Sequence, residues 1–466
     1  MPHMLSDTDQ GRAEAVHLAA FLLSNENGQS TESDADAGEV DDALVERGLE
    51  LYETRGCMAC HRFTPPTGGD EYDRISLYFA AEKFRPNQLA KFLRKPHENY
   101  HAVRMPDFGF DDDESFAVAA YVRSQSTGKL ERLAEVEPDR GLGQKLFVER
   151  QCNQCHELGE AQLAAAPYGT LFQAANRRGC LAESDALRGS APDFGFDEAV
   201  RGGLLRFLQG TDAPLRVQVK GEVATRTMER LRCLACHDHD ATYSSLPDIT
   251  ADEGELGLPY ERIPNLGSAG EKLQSDWLRR QILGTLDYRS RPWLKMKMPA
   301  FPHYADRLAV GLAAEHGVVM DGVVVDGVVV DGVVVDGVAM DELFANESTD
   351  ELISAGKELS TKEKGFDCLQ CHSLGDDFIE LENKANGVGL SYITDRLRKD
   401  YYHRWIRDPL RIDPLTKMPK FTTDGVKSQR TEYFDGDAQQ QFEALWHYMR
   451  QLGSSRKPST PTTSER

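Results

Sequence analysis

The chain has 466 residues, is 40% hydrophobic and 8% aromatic, and carries a formal net charge of −22. That length exceeds one hydrophobic core and predicts three to five globular domains. The acidic balance argues against nucleic acid as a ligand and favours basic partners, and the lack of any run of about 18 apolar residues argues against a membrane-spanning helix.

Residues 1–24 open with Met1-Pro2, turn acidic at Asp7 and continue as an apolar stretch through Ala15–Leu22, which predicts a helix. They lack the basic start, continuous apolar stretch and cleavage site of a secretion signal. Residues 25–41 form a polar, acidic linker. Residues 42–127 hold an amphipathic segment at Gly48–Tyr52, then Cys57-Met58-Ala59-Cys60-His61, then a helix-like stretch at Leu89–Leu93. Arg104-Met105-Pro106-Asp107-Phe108 follows, and an acidic start at Asp112–Glu114 runs into the apolar Phe116–Val122.

Residues 136–212 repeat this order with Gly143–Phe147, Cys152-Asn153-Gln154-Cys155-His156, a lone Cys180, and Ala191-Pro192-Asp193-Phe194. Residues 215–316 carry Cys233-Leu234-Ala235-Cys236-His237, a Pro- and Gly-rich loop around 247–264, Trp277–Arg280 and Lys297-Met298-Pro299-Ala300-Phe301. Residues 317–341 repeat Val-Val-Val-Asp-Gly; Asp-Gly signals turns and Val favours strand, so stacked short hairpins or a mobile linker are expected. Residues 342–454 hold Gly356–Leu359, Cys368-Leu369-Gln370-Cys371-His372, Trp405–Arg407, Lys417-Met418-Pro419-Lys420-Phe421 and an apolar helix after Asp437. The tail 455–466 is Ser-, Pro- and Thr-rich and is expected to be disordered.

Eight of the nine cysteines fall in Cys-x-x-Cys pairs, and every pair is followed at once by His. Zinc would combine two pairs into a tetrahedral set, and a redox dithiol would place one pair at the start of a helix in a βαβ setting. Neither reading calls for His at the same place four times. Covalent haem c does: two thiols one turn apart add to the two vinyl groups, and the next residue offers an imidazole to the iron. Haem iron commonly takes a Met sulfur on its other face, and Met105, Met298 and Met418 follow the proximal His by 44, 61 and 46 residues, each before Pro. Met296 is the fallback for Met298. His97, His101, His239, His303, His403 and His447 read as surface or haem-edge residues rather than ligands.

At this point the repeat resembles class I cytochrome c domains, in four copies over most of residues 42–454. The resemblance implies a mainly α fold. In each copy a first helix, the Cys-x-x-Cys-His turn, a loop, a middle helix, Met-Pro and a last helix are expected, with first and last helices packed together. It implies four haem c groups held by Cys57, Cys60 and His61, by Cys152, Cys155 and His156, by Cys233, Cys236 and His237, and by Cys368, Cys371 and His372. Iron ligands would be the four histidines with Met105, Met298 and Met418. The second copy departs from the pattern, because Ala191 stands where Met belongs and no His occurs between His156 and His237. Its haem is expected to be open on one side or closed by Cys180.

Electron transfer with redox proteins bearing basic docking surfaces is the expected function; a peroxidase-like enzyme, a small-molecule reductase or a gas or redox sensor at the open haem is the alternative. Haem attachment to such motifs takes place outside the cytoplasmic membrane. A periplasmic or extracytoplasmic location is therefore expected, with an export signal on a missing upstream part and residues 1–24 as the last helix of an upstream copy. Otherwise that helix is expected to pack on the first copy.

Overall fold

Capped amphipathic stretches separated by Gly- and Pro-rich loops make the chain mainly α-helical. The computed structural model describes residues 5, 8–24, 41–85, 87–98, 101–130, 136–154, 156, 158, 179–189, 191–210, 218–257, 263–318, 323–325, 328–330, 349–375 and 386–456. Most of the acidic linker and of the tail lie outside these residues.

In chain order the helices begin with α1 (Asp9–Ser24), α2 (Asp42–Thr54), α3 (Ala80–Lys83), α4 (Gln88–Arg94), α5 (Asp112–Gln125), α6 (Arg140–Glu149), α7 (Asp185–Arg188), α8 (Glu198–Leu208) and α9 (Lys220–Leu231). They continue with α10 (Leu246–Glu253), α11 (Ala269–Lys272), α12 (Ser275–Leu283), α13 (Ala305–Glu315), α14 (Thr349–Leu359), α15 (Ile393–Arg396), α16 (Lys399–Arg407), α17 (Pro409–Ile412) and α18 (Ala438–Ser455). Two short strands, β1 (His61–Arg62) and β2 (Ile75–Ser76), pair in parallel with His61 opposite Ile75. In the Val-rich repeat β3 (Val323–Val325) pairs antiparallel with β4 (Val328–Val330), Val323 opposite Val330.

The chain divides into two compact bodies, Met1–Asp36 with Lys129–Gln218, and Ala37–Gly128 with Val219–Arg466. In the first body α1 packs on α6, the first helix of the second copy. The contact is backbone to backbone: a Cβ on Gly143 would lie 2.0 Å from the His17 carbonyl oxygen. Phe21 meets Phe147 with ring centroids 5.5 Å apart, and Arg150 pairs with Glu14 at 2.6 Å. The later helix α8 is capped by the Asp197 carboxylate, which accepts from Val200 N, yet none of its residues is buried.

The second body is built from the same crossing. α2 packs on α5 and α14 on α18. A Cβ on Gly48 would lie 2.1 Å from the Ala117 carbonyl oxygen, and one on Gly356 would lie 2.1 Å from that of Ala444. Both helices that meet these glycines carry a tyrosine four residues on, Tyr121 and Tyr448. In the α9–α13 pair the glycine sits on the last helix, where a Cβ on Gly311 would lie 2.3 Å from Ala224 Cβ. One apolar core joins the first and third copies through Leu51, Tyr121, Leu246 and Ile249, and a second joins the third and fourth through Trp277, Leu308, Phe442 and Trp446.

Short backbone pairings register these copies. Asp107 and Ala300, each two residues after its Met, exchange N–H···O bonds of 2.9 and 2.7 Å. Leu273 and Leu397 form another antiparallel bridge, flanked by Gln274 N donating to Arg396 O at 2.9 Å and Arg398 N to Lys272 O at 3.0 Å.

The fourth copy also buries a carboxylate. The side chain of Glu443 on α18 is 1% exposed, and it accepts from His403 Nε2 at 2.9 Å, lies 3.2 Å from His447 Nε2 and pairs with Lys399 Nζ at 2.7 Å. Burial alone would raise its pKa; the bonds from His403, His447 and Lys399 win and hold it well below the ordinary Glu range. Glu443→Gln is expected to lower stability by about 3 kcal/mol at neutral pH, since it leaves the Lys399 ammonium and the buried His403 ring without the carboxylate they share. The carboxylate is depressed in the folded state, so this stabilisation is complete above its unfolded pKa near 4.5 and fades as pH falls through the native value. Urea unfolding of both proteins at pH 7 and at stepwise lower pH checks this; a difference that does not shrink below about pH 4 would contradict it.

Candidate functional site

All four Cys-x-x-Cys-His segments follow the first helix of their copy and start from an unusual backbone. The residue before the first Cys is left-handed each time: Gly56 (φ 71°), Gln151 (φ 57°), Arg232 (φ 60°) and Asp367 (φ 58°). Such a conformation costs a non-glycine residue roughly 1–2 kcal/mol, so its recurrence marks a turn that the fold enforces. The chain then makes one 3₁₀ turn, over Cys57–Ala59, Cys152–Gln154, Cys233–Ala235 and Cys368–Gln370. The His amide closes it in three copies: His156, His237 and His372 each donate to the carbonyl of the first Cys at 2.9 Å. The two thiols and the imidazole thus leave one tight turn together. Cys155 lies outside the described residues, and His156 is exposed, whereas His61, His237 and His372 are half-buried.

The imidazoles are oriented from behind. His237 Nδ1 donates to Pro264 O at 2.8 Å, and His372 Nδ1 donates to Val388 O at 2.7 Å. A carbonyl facing Nδ1 fixes the proton there and leaves the Nε2 lone pair free for a metal. Burial lowers the pKa of all three, to about 4 for His61, partly opposed by the backbone of Ile75, Pro264 and Val388 respectively. Their imidazoles are therefore neutral at physiological pH. Gly387 gives His372 its place, since a Cβ there would lie 2.4 Å from the ring.

The thiols are shifted the other way. Burial pushes Cys57, Cys233, Cys236 and Cys368 up to about 12 and raises Cys60. A redox dithiol attacks as thiolate, which a lowered pKa supplies; without a metal these groups stay protonated thiols. Cys57 and Cys60 adjoin Ala235 and Cys236 in one apolar cluster, yet among the described residues no group of three or more His, Cys, Asp or Glu is arranged to hold a metal ion by itself. Paired thiols with one oriented imidazole fit covalent haem, which brings its own four nitrogens to the iron.

The methionines are placed less uniformly. Met105 packs against the core that contains Cys57. Met418 Sδ accepts from Trp405 Nε1 at 3.0 Å. Met298 is 41% exposed and its sulfur lies 3.7 Å from Gln281 Nε2. Met296, the fallback for the third copy, belongs to the core of the first motif, its Cε 3.5 Å from where a Cβ on Gly56 would sit. In the second copy Ala191 does occupy the Met position. Asp193 Oδ1 accepts from Gly195 N at 2.8 Å and Phe194 stacks on Phe196 at 5.2 Å; in the first copy Asp107 accepts from Gly109 N at 2.8 Å and Phe108 stacks on Phe110 at 5.4 Å. Cys180 is exposed, and the adjacent Gly179 faces Ala191.

Over 76 residues the chain is 28% identical to cytochrome c-551 of Pseudomonas aeruginosa, a stretch that covers 16% of this chain and 73% of that protein. The likeness supports a cytochrome c relationship. Its length is that of one copy of the repeat. No family model matches the chain, and no solved structure matches it.

Of the other histidines, His403 corrects the surface reading: it is buried on Glu443. His97 and His101 gather on His303, with ring centroids 5.6 and 5.1 Å apart, beside the bridge between the first and third Met segments. His239 lies 3.4 Å from Glu315. Sequence reasoning missed the left-handed residues, the Pro264 and Val388 carbonyls, and Gly387. Gly56 advertised its role and Asp367 did so weakly, whereas Gln and Arg carry no signal for a positive φ.

Gly387→Ala forces the His372 ring to move and is expected to cost about 1–3 kcal/mol, while Gly375→Ala, with no described atom within 4 Å, stays within about 0.5 kcal/mol. Denaturation midpoints of the two variants check this; equal midpoints would contradict the contact.

Proposed function

We propose that this chain is a multihaem c-type cytochrome that moves electrons through four covalently bound haems. The carrying observation is the repeated unit of left-handed residue, Cys-x-x turn and His, with the imidazole Nδ1 tied to a backbone carbonyl in the third and fourth copies. The likeness to cytochrome c-551 supports the cytochrome half of the reading, although the chain shares only one copy's length with it.

Haem, when bound, supplies an iron that accepts and returns one electron. The chain does the rest. Cys57 and Cys60, Cys152 and Cys155, Cys233 and Cys236, and Cys368 and Cys371 would anchor the four porphyrins, while His61, His156, His237 and His372 would each present Nε2 to iron. Met105, Met298 and Met418 would close the other face in three copies. Met298 has to turn inward from its exposed position, or Met296 closes that copy. Ligation by both His and Met leaves no position for substrate, which suits a relay. Acidic surface steers basic redox partners, and attachment of haem places the protein in the periplasm or an equivalent extracytoplasmic space.

The second copy favours a second reading. Ala191 cannot ligate iron, and His156 is exposed. An open haem there would bind a small molecule, with the other three copies feeding it electrons; Cys180 is the candidate to close it instead.

Two measurements follow. Protein exported in a host that attaches haem c is expected to give an alkaline pyridine haemochrome of four haems per chain, falling by one when Cys368 and Cys371 are both replaced by Ala; zinc in place of iron would overturn the reading. The reduced protein is expected to bind carbon monoxide at one haem, and Ala191→Met to abolish that binding; unchanged binding in Ala191→Met would place the open site elsewhere.

A further inference from the structure

The first and third attachment motifs adjoin. Cys57, Met58, Ala59 and Cys60 share one apolar cluster with Ala235, Cys236, Leu246 and Ile249. Thr250 Oγ1 reaches Met58 Sδ at 3.9 Å, and the first motif acts on the thiols of the third: burial and then Cys60 raise the pKa of Cys233 and Cys236. A charged side chain from the turn of the third motif reaches the first. Arg232, the left-handed residue before Cys233, sends its guanidinium into the first copy. There it donates to the Tyr72 carbonyl and, at 2.7 Å, to the Asp73 carbonyl, and it interacts with the Cys60 sulfur.

The neighbouring cations differ from it. Arg55 pairs with Glu114 at 3.1 Å, and Arg74 pairs with Asp70 at 3.0 Å and with Glu253 at 2.7 Å. Arg62 Nε also lies 3.6 Å from Asp70. The carboxylate nearest Arg232, that of Asp73, is 3.9 Å away and fully exposed, so water screens it. Arg232 itself is 22% exposed, and its Nε is buried with no partner among the described residues. A weakly compensated cation of the third copy is thus held in a largely dry place beside the first motif by the Tyr72 and Asp73 carbonyls.

We infer that Arg232 sets the reduction potential of the haem on the first motif from the neighbouring copy. This rests on the haem reading above. A positive charge held close by disfavours the oxidised iron, which carries one more positive charge, and so raises the potential. The charge comes from the backbone that anchors the third haem, so the two attachment sites form one coupled pair. Arg232 is a positioning residue; it is not a ligand.

The test is an optical redox titration of the haem-loaded full chain. Arg232→Gln removes the charge and keeps the turn possible, because Gln151 adopts the same left-handed conformation before Cys152. Arg232→Lys keeps the charge. Arg226→Gln removes an exposed cation from the same helix, one paired with Glu222 four residues earlier. Haem content is measured first. Arg232→Gln is expected to shift one component to lower potential by about a tenfold change in electron affinity, about 59 mV for a one-electron couple. Arg232→Lys should keep that component near its original place, and Arg226→Gln should leave all components unmoved. The inference is overturned if fully loaded Arg232→Gln titrates like Arg226→Gln, or if Arg232→Lys shifts as far as Arg232→Gln, which would make the role structural. A wild-type chain that takes up no haem would overturn the underlying reading instead.

Discussion

The backbone contact between a first and a last helix is the constraint from which the sites follow; in the second copy α1 stands in for the last helix. Gly48 and Gly356 let two helices touch at van der Waals distance, with Tyr121 and Tyr448 filling the space beside the crossing. The crossing fixes where the first helix ends. One or two residues later in the first three copies, and eight later in the fourth, the chain is left-handed, and one 3₁₀ turn after that the thiols and the imidazole emerge together. Local propensity would not produce this turn at Gln151, Arg232 or Asp367, where positive φ is costly. Tertiary packing supplies the difference, and a covalent porphyrin bridging the thiols would add to it.

Much of this could be read from the residues. The four Cys-x-x-Cys-His motifs named the chemistry, and the acidic cap before Phe116–Val122 located α5, where Asp111 and Glu114 form a reciprocal capping box. Trp277 and Trp405 marked middle helices that the structure contains. The rest depends on contacts far apart in sequence. The Pro264 carbonyl behind His237 comes 27 residues later, and nothing in a Pro-rich loop says which carbonyl will face a ring. The role of Gly387 follows from the ring that lies on it. Nor does the Pro after Met298 reveal that Ala300, two residues on, pairs with Asp107 of the first copy.

The first helix is the other case. Its order of acidic start and apolar stretch is that of a last helix, and it takes a last helix's place against α6 of the second copy. The Gly143 contact with His17 repeats the geometry of Gly48 with Ala117. The helix that chain order assigns to that place, α8, buries none of its residues. Periodicity finds a helix face; it does not name the partner. The Val-rich repeat shows the same limit, since its Asp-Gly steps signalled hairpins, and β3 and β4 pair antiparallel.

Within the second body the copies are joined by main-chain bridges, Asp107 to Ala300 and Leu273 to Leu397, which hold three attachment motifs in one packed structure. That arrangement suits a relay, because backbone pairing fixes separation and orientation more firmly than side-chain contact. The central claim is that these turns carry porphyrin through thioether bonds. It is tested most directly by the intact mass of the denatured chain after export and maturation. The account predicts the polypeptide mass plus four haems, retained through denaturation; a chain at its bare mass, or one that loses its colour to acid acetone, would contradict it.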